Sequence, residues 1–239
     1  MNLVNNLGFL DKGFFLKHFC SGGLPSYPSQ REVWNNQQTE GPRLSPAALM
    51  YLFPEYFSSK ARFGGFRSPC SDIKVKHNEL FDSMFIGTLA SMESRGLIRF
   101  YTYKKGFLIK STKLGIVKSQ NFNLSDYGYL GRRIARLPVG GTISVYGTLI
   151  ENIETYAPDK HFISQVFRYD LSGRGLFWND DPRKPICERI FTYRDQVSRL
   201  SEIVRSFSYY RQNEYKMIKK EISNVFDAMK PEEEEDDWD

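Results

Sequence analysis

Cysteine is scarce: Cys20, Cys70 and Cys187 are the whole complement of a 239-residue chain. An odd number without close spacing does not make a disulfide framework. The expectation is a reducing compartment, cytoplasmic or nuclear. Histidine is equally rare, and His18, His77 and His161 stand in no recognised spacing with a Ser or an Asp, so a nucleophilic triad has no evident base. His18 with Cys20, or Cys70 with His77, could ligate a metal, but neither reproduces the paired spacing of a zinc site. Asp180, Asp181 and Glu188 could form the acidic metal cluster of a nuclease; in a Pro- and Gly-rich stretch such acids are more often turn formers. Gly140-Gly141 lacks the Gly-Lys-Ser/Thr of a phosphate loop, and Gly173-x-Gly175 lacks the third glycine of a dinucleotide fingerprint. The sequence therefore reads as that of a non-enzyme, with no cofactor and no metal. No apolar run approaches the roughly 20 residues needed to span a bilayer. The first residues lack the basic region and cleavage site of a secretory signal. Asp11, and the lack of any Arg before Arg31, speak against a mitochondrial presequence.

What is present is a core-forming composition and an uneven charge. Hydrophobic residues are 41% and charged residues 26% of the chain, which excludes a mainly disordered, collagen-like or membrane-spanning protein. Aromatics are abundant, with 19 Phe and 14 Tyr. The net charge of +5 hides an asymmetry, because the last nine residues, from Pro231 to Asp239, hold seven acids and no base. Residues 1–230 carry 33 basic and 21 acidic side chains, a body of +12. Such a body suggests a polyanionic partner, and such a tail a competitor for the same surface. Solubility alone is the plainer explanation of the charge.

Five stretches follow from composition and pattern. Residues 1–43 are an apolar N-terminal segment, suited to a short helix over 1–20, and then a linker rich in Ser, Gly, Pro, Asn and Gln. Over 44–118, Ser45 and Pro46 supply a cap and a first-turn proline for a helix reaching about Phe57, interrupted near Pro54. A 58–72 loop follows. A second helix opens near Asn78, and Leu80, Phe81, Met84, Phe85, Leu89 and Met92 give it a wide apolar stripe. Gly96 is its natural left-handed terminator. A hairpin is predicted next, with strands at 97–103 and 107–112 and a turn at Lys104-Lys105-Gly106. Over 119–187 the chain predicts a short helical segment ending before Pro138, strands at 142–150 and 161–169, and a loop over 170–187. Residues 188–230 read as helical to Met229. There Ile190, Val197, Val204, Ile218 and Val225 fall at multiples of seven, with Leu200 and Phe207 at the complementary offset. That pattern suits either a self-association seam or two packed helices jointed near 208–214. Residues 231–239 are the acidic tail. The fold class expected is α+β, with helices at both ends around a small antiparallel sheet.

The basic hairpin is the most informative feature. Arg95, Arg99, Lys104, Lys105, Lys110, Lys113 and Lys118 occur in it with no acid between Gly96 and Ser125, and Phe100, Tyr101, Tyr103 and Phe107 interleave. Such cations can meet phosphates and release counterions, while the rings can stack on bases. A solvated sheet edge, where lysines block edge-to-edge pairing, is the alternative. Arg132, Arg133 and Arg136 form a second basic group. The helix ending in Met92-Glu-Ser-Arg-Gly96-Leu-Ile98, followed by a basic-tipped hairpin and Ser111-Thr112-Lys113-Leu114-Gly115, resembles the last helix and wing of winged-helix domains over about residues 44–118. The resemblance implies a helix offered to a DNA groove and a wing that touches the backbone, although winged helices also bind proteins. Two features depart from that family. No helix is evident between 58 and 77, and the helix face through Asn78, Asp82, Ser83, Thr88 and Ser91, expected to be exposed, is not basic. The tail is similar to the acidic, aromatic-ended tails of single-stranded-DNA-binding proteins, which makes Trp238 and Asp239 candidates for docking a protein partner. The reading is a non-catalytic nucleic-acid-binding or assembly protein, DNA or RNA, with a homo-oligomer through 188–229 as one use of the seam. The alternative is a peripheral adaptor for a protein or an anionic membrane surface.

Overall fold

Ser45 and Pro46 begin the first helix as predicted. α1 spans Pro46–Leu52, with Pro46 in its first turn and the Ser45 hydroxyl accepting from the Ala48 N–H at 3.1 Å. A 3-10 turn, Pro54–Tyr56, follows where the proline interrupts. The computed structural model describes residues 44–71, 73–106, 111–123, 126–150, 158–172 and 190–228. The expected N-terminal helix and linker, most of the 170–187 loop, Asp180, Asp181, Glu188 and the acidic tail lie outside the described residues.

The described elements form an α+β fold. A two-residue ladder pairs β1 (Phe66–Arg67) with β2 (Lys74–Val75). α2 (His77–Ser94) leads into a three-stranded antiparallel sheet of β3 (Ile98–Lys105), β4 (Ser111–Lys118) and β5 (Thr142–Ser144), in that order. α3 (Gly128–Arg136) lies between β4 and β5, and α4 (Val145–Ile150) continues directly from β5. α5 (Pro158–Val166) runs into a π-helical turn, Phe167–Leu171. α6 (Ile190–Tyr210) and α7 (Gln212–Ala228) close the fold, with the joint at Arg211 inside the expected window.

α2 is the centre of this arrangement. Leu80, Phe81 and every residue from Ser83 to Met92 are buried, as α1, α5, α6 and α7 pack around it. Gly87 has no room for a Cβ, because Met50 of α1 and Val204 of α6 converge there. The sequence predicts Ser83, Thr88 and Ser91 on an exposed face, and the structure corrects this. The Ser83 hydroxyl lies 2.8 Å from the carbonyl oxygens of Phe57 and Glu79, and Thr88 donates to the Met84 carbonyl at 2.7 Å. Such internal partners let a hydroxyl be buried without penalty. The helix ends as predicted. Gly96 takes φ +68°, its N–H donates to Glu93 and the Leu97 N–H to Met92, the paired closure of a Schellman motif.

Four other expectations are corrected. Lys104 and Lys105 belong to β3 rather than to the turn, and β4 runs on to Lys118; residues 107–110 of the expected return strand lie outside the described residues. The strand expected over 142–150 is three residues long, because Ser144 caps a helix: its hydroxyl accepts from the Gly147 N–H at 2.9 Å. Residues 161–169 are helical and then π-helical. Pro158 starts that helix, and Phe162, Ile163 and Val166 present one buried face. Cys70 is disulfide-bonded, against the expectation of reduced thiols.

The heptad positions are filled within the chain. Val197, Leu200, Phe207, Ile218 and Val225 are all buried in one core shared with α1, α2 and the sheet.

Candidate nucleic-acid interface

The β3–β4 register sorts the basic hairpin into cations that hold the fold together and cations left open to solvent. Side chains alternate along a strand, so Ile98 and Phe100 turn inward, where Phe100 meets Phe207 of α6 at 5.7 Å between ring centroids. Arg99, Tyr101, Tyr103 and Lys105 then share the opposite face. Arg99 and Lys105 are exposed and the two tyrosines are half-buried. Their rings lie 5.7 Å apart at an interplanar angle of 33°. Tyr101 sits opposite Gly115 in the ladder, and its ring covers the place a Cβ would take. The glycine thus lets the ring lie down on the sheet. Thr142 and Ser144 of β5 continue the surface beyond Val117 and Gly115. Lys104 is exposed at the open end of the same strand.

Three predicted contact residues serve the fold instead. Lys118 is 4% exposed and its ammonium donates to the carbonyls of Ala135 at 2.7 Å and Leu137 at 2.6 Å. It therefore closes the C-terminal end of α3, where carbonyls lack partners and the helix dipole favours a cation. Lys113 pairs with Glu221 of α7 at 3.1 Å, and that carboxylate is almost wholly buried. Arg95 donates to the Tyr127 hydroxyl at 3.1 Å and stands 3.8 Å from Asp126. Lys110 lies outside the described residues, as do Trp238 and Asp239.

The second predicted basic group falls on α3. The Arg132 guanidinium lies 4.4 Å from the centre of the Tyr169 ring, which stacks on Tyr129 at 5.4 Å and 9°. Arg168 approaches the same ring at 5.6 Å. Arg133 is half-buried and Arg136 exposed. The strand expected over 161–169 concealed Tyr169 and Arg168, because its alternation differs from that of a π-helical turn.

Asp170 holds this corner in place. It is 1% exposed, accepts from the Ser45 hydroxyl at 2.6 Å and from the Tyr129 N–H at 2.7 Å, and so supports the N-terminal ends of both α1 and α3. Gly128, at φ +58°, leaves the space its carboxylate fills. On α2, burial pushes the Asp82 carboxyl up to about 6, although Lys219 of α7, 3.5 Å away, pulls it down. Burial, helped by the Asp82 charge, raises Tyr215 to about 12.

No group of three His, Cys, Asp or Glu residues able to hold a metal ion occurs among the described residues, and no helix there is long and apolar enough to cross a membrane. No family model matches the chain. No curated protein and no solved structure matches it either.

Proposed function

We propose that the chain is a non-catalytic nucleic-acid-binding protein that receives a single strand on the outer face of β3 and β4. The observation that carries this reading is the pair of adjacent tyrosines, Tyr101 and Tyr103, laid on the sheet between the exposed cations Arg99 and Lys105. Successive bases can stack on successive rings, since every base has a π-face, while the cations take up phosphates. An unpaired strand suits this surface better than a duplex, whose bases are already stacked on one another. α2, buried on nearly every side, has no face to place in a groove, so the winged-helix mode of contact is not part of the proposal. Assembly of several chains would use a surface other than the buried heptad seam.

The test is oligonucleotide binding by full-length protein carrying Tyr101→Ala and Tyr103→Ala. Stacking on one aromatic contributes roughly 1–3 kcal/mol per base, so the pair should lose about tenfold or more in affinity for a single strand. Duplex affinity should change much less. Equal losses for both would point to a simple electrostatic surface. No loss for either would favour an adaptor whose basic face meets a protein.

A further inference from the structure

The loop between the 3-10 turn and β1 holds an aromatic ring out in water. Phe63 is 95% exposed, whereas Phe66, three residues on, packs edge-on against Tyr51 with ring centroids 4.9 Å apart. The loop is nevertheless well tied. Lys60 bridges to Val75, the Ala61 N–H donates to the Lys74 carbonyl at 2.9 Å, and the Lys76 N–H to Ser59 at 3.2 Å. β2 is therefore paired on both sides, by Lys60 and by β1. Gly64 and Gly65 take φ +62° and +92°, and a Cβ on Gly65 would collide with the Val75 carbonyl and Ala61. Two left-handed residues in succession are what a glycine pair allows. The fold thus fixes a turn whose tip is Phe63.

The surroundings of that tip are basic. Lys60, Arg62, Arg67 and Lys74 are all exposed, and none of the four forms an ion pair among the described residues. An exposed apolar ring in a segment that carries four exposed cations, unpaired among the described residues, has the composition of a shallow membrane anchor. An exposed apolar ring gains by burial at the boundary between headgroups and acyl chains, and each nearby Lys or Arg adds attraction to anionic lipid. A nucleobase is a poorer match, because it covers one face of a ring and Phe63 is bare on both.

We infer that the Lys60–Lys74 loop is a peripheral membrane contact, in which Phe63 enters the interface of an anionic lipid bilayer and Lys60, Arg62, Arg67 and Lys74 meet the headgroups. This goes beyond the nucleic-acid reading and does not depend on it, since none of its residues belongs to β3 or β4.

The experiment is co-sedimentation of the full-length protein with phosphatidylcholine vesicles, with and without phosphatidylserine. The wild type should bind only the anionic vesicles. Phe63→Ser, and separately Arg62→Glu with Arg67→Glu, should each weaken that partitioning by about tenfold, with single-strand affinity unchanged. All three positions are exposed, so the variants should remain folded, as circular dichroism would verify. Phe63→Trp, with Trp34, Trp178 and Trp238 replaced by Phe, should bind and show a blue-shifted emission on anionic vesicles. Absence of wild-type binding, equal binding to neutral vesicles, or unchanged partitioning of Phe63→Ser would overturn the inference. A Phe63→Ser variant that loses oligonucleotide instead of vesicles would also overturn it and assign the loop to nucleic acid.

Discussion

At the scale of single residues, the hairpin's cations are alike in the sequence, and the described ones prove different in the structure. Lys118 and Lys113 could not be told from Lys104 and Lys105 by composition, because their partners lie far away in sequence: two carbonyls at the end of α3 and Glu221 of α7. Tyr101 and Tyr103 were legible only as aromatics interleaved with Phe100 among the cations; the face they share with Arg99 and Lys105 emerges once β3 is seen to extend through Lys105. Asp82 carries a prediction of its own. Its carboxyl is raised to about 6 by burial, so the folded state binds a proton more readily than the unfolded chain. Stability should then rise as the pH falls from above 6 towards 4, where the unfolded form also becomes protonated. Asp82→Asn should remove that rise and raise stability at pH 7.5 by on the order of 2 kcal/mol. Thermal melts of both proteins between pH 5 and pH 8 check this, and parallel profiles would contradict it.

At the scale of elements, helix ends were the most readable features and short β-branched runs the least. Ser45-Pro46, Pro54 and Gly96 each act through a local backbone rule, so their roles needed no tertiary information. The run Thr142–Ile150 offers strand-forming residues, yet Ser144 caps a helix there, with Gly147 donating to its hydroxyl and Thr148 to its carbonyl. Phe162, Ile163 and Val166 fit a helix face once Pro158 is taken as the start, but the same residues also read as a buried strand. The seam of α6 and α7 is a further case. Its period was visible, whereas its partner, the α2 side of the same chain, was not. Val197→Asp with Val204→Asp should therefore unfold the protein rather than release a folded monomer, because two carboxylates would enter the core. Circular dichroism with sedimentation velocity separates the outcomes, and a folded, smaller species would contradict the intrachain packing.

At the scale of the whole molecule, the α+β class and the basic body were legible in the sequence, while the layout of its surfaces was not. Knowing which cations face outward required the register of β3 on β4 and the burial of α2. The tail adds an expectation of this larger kind. Seven acids tethered to a +12 body have a high local concentration near its cations. Deleting residues 231–239 should tighten single-strand binding, most at low salt where screening is weakest. A titration repeated at two ionic strengths checks it, and unchanged affinity would make the tail a docking segment only. The central claim, that the open cations beside the tyrosines hold phosphates, is tested most directly by the salt dependence of single-strand affinity in the wild type and in Arg99→Glu with Lys105→Glu. Removing one cation from a phosphate should reduce the slope of log K against log salt by about 0.7, so the pair should flatten it by about 1.4. A slope identical in the two proteins would contradict the account.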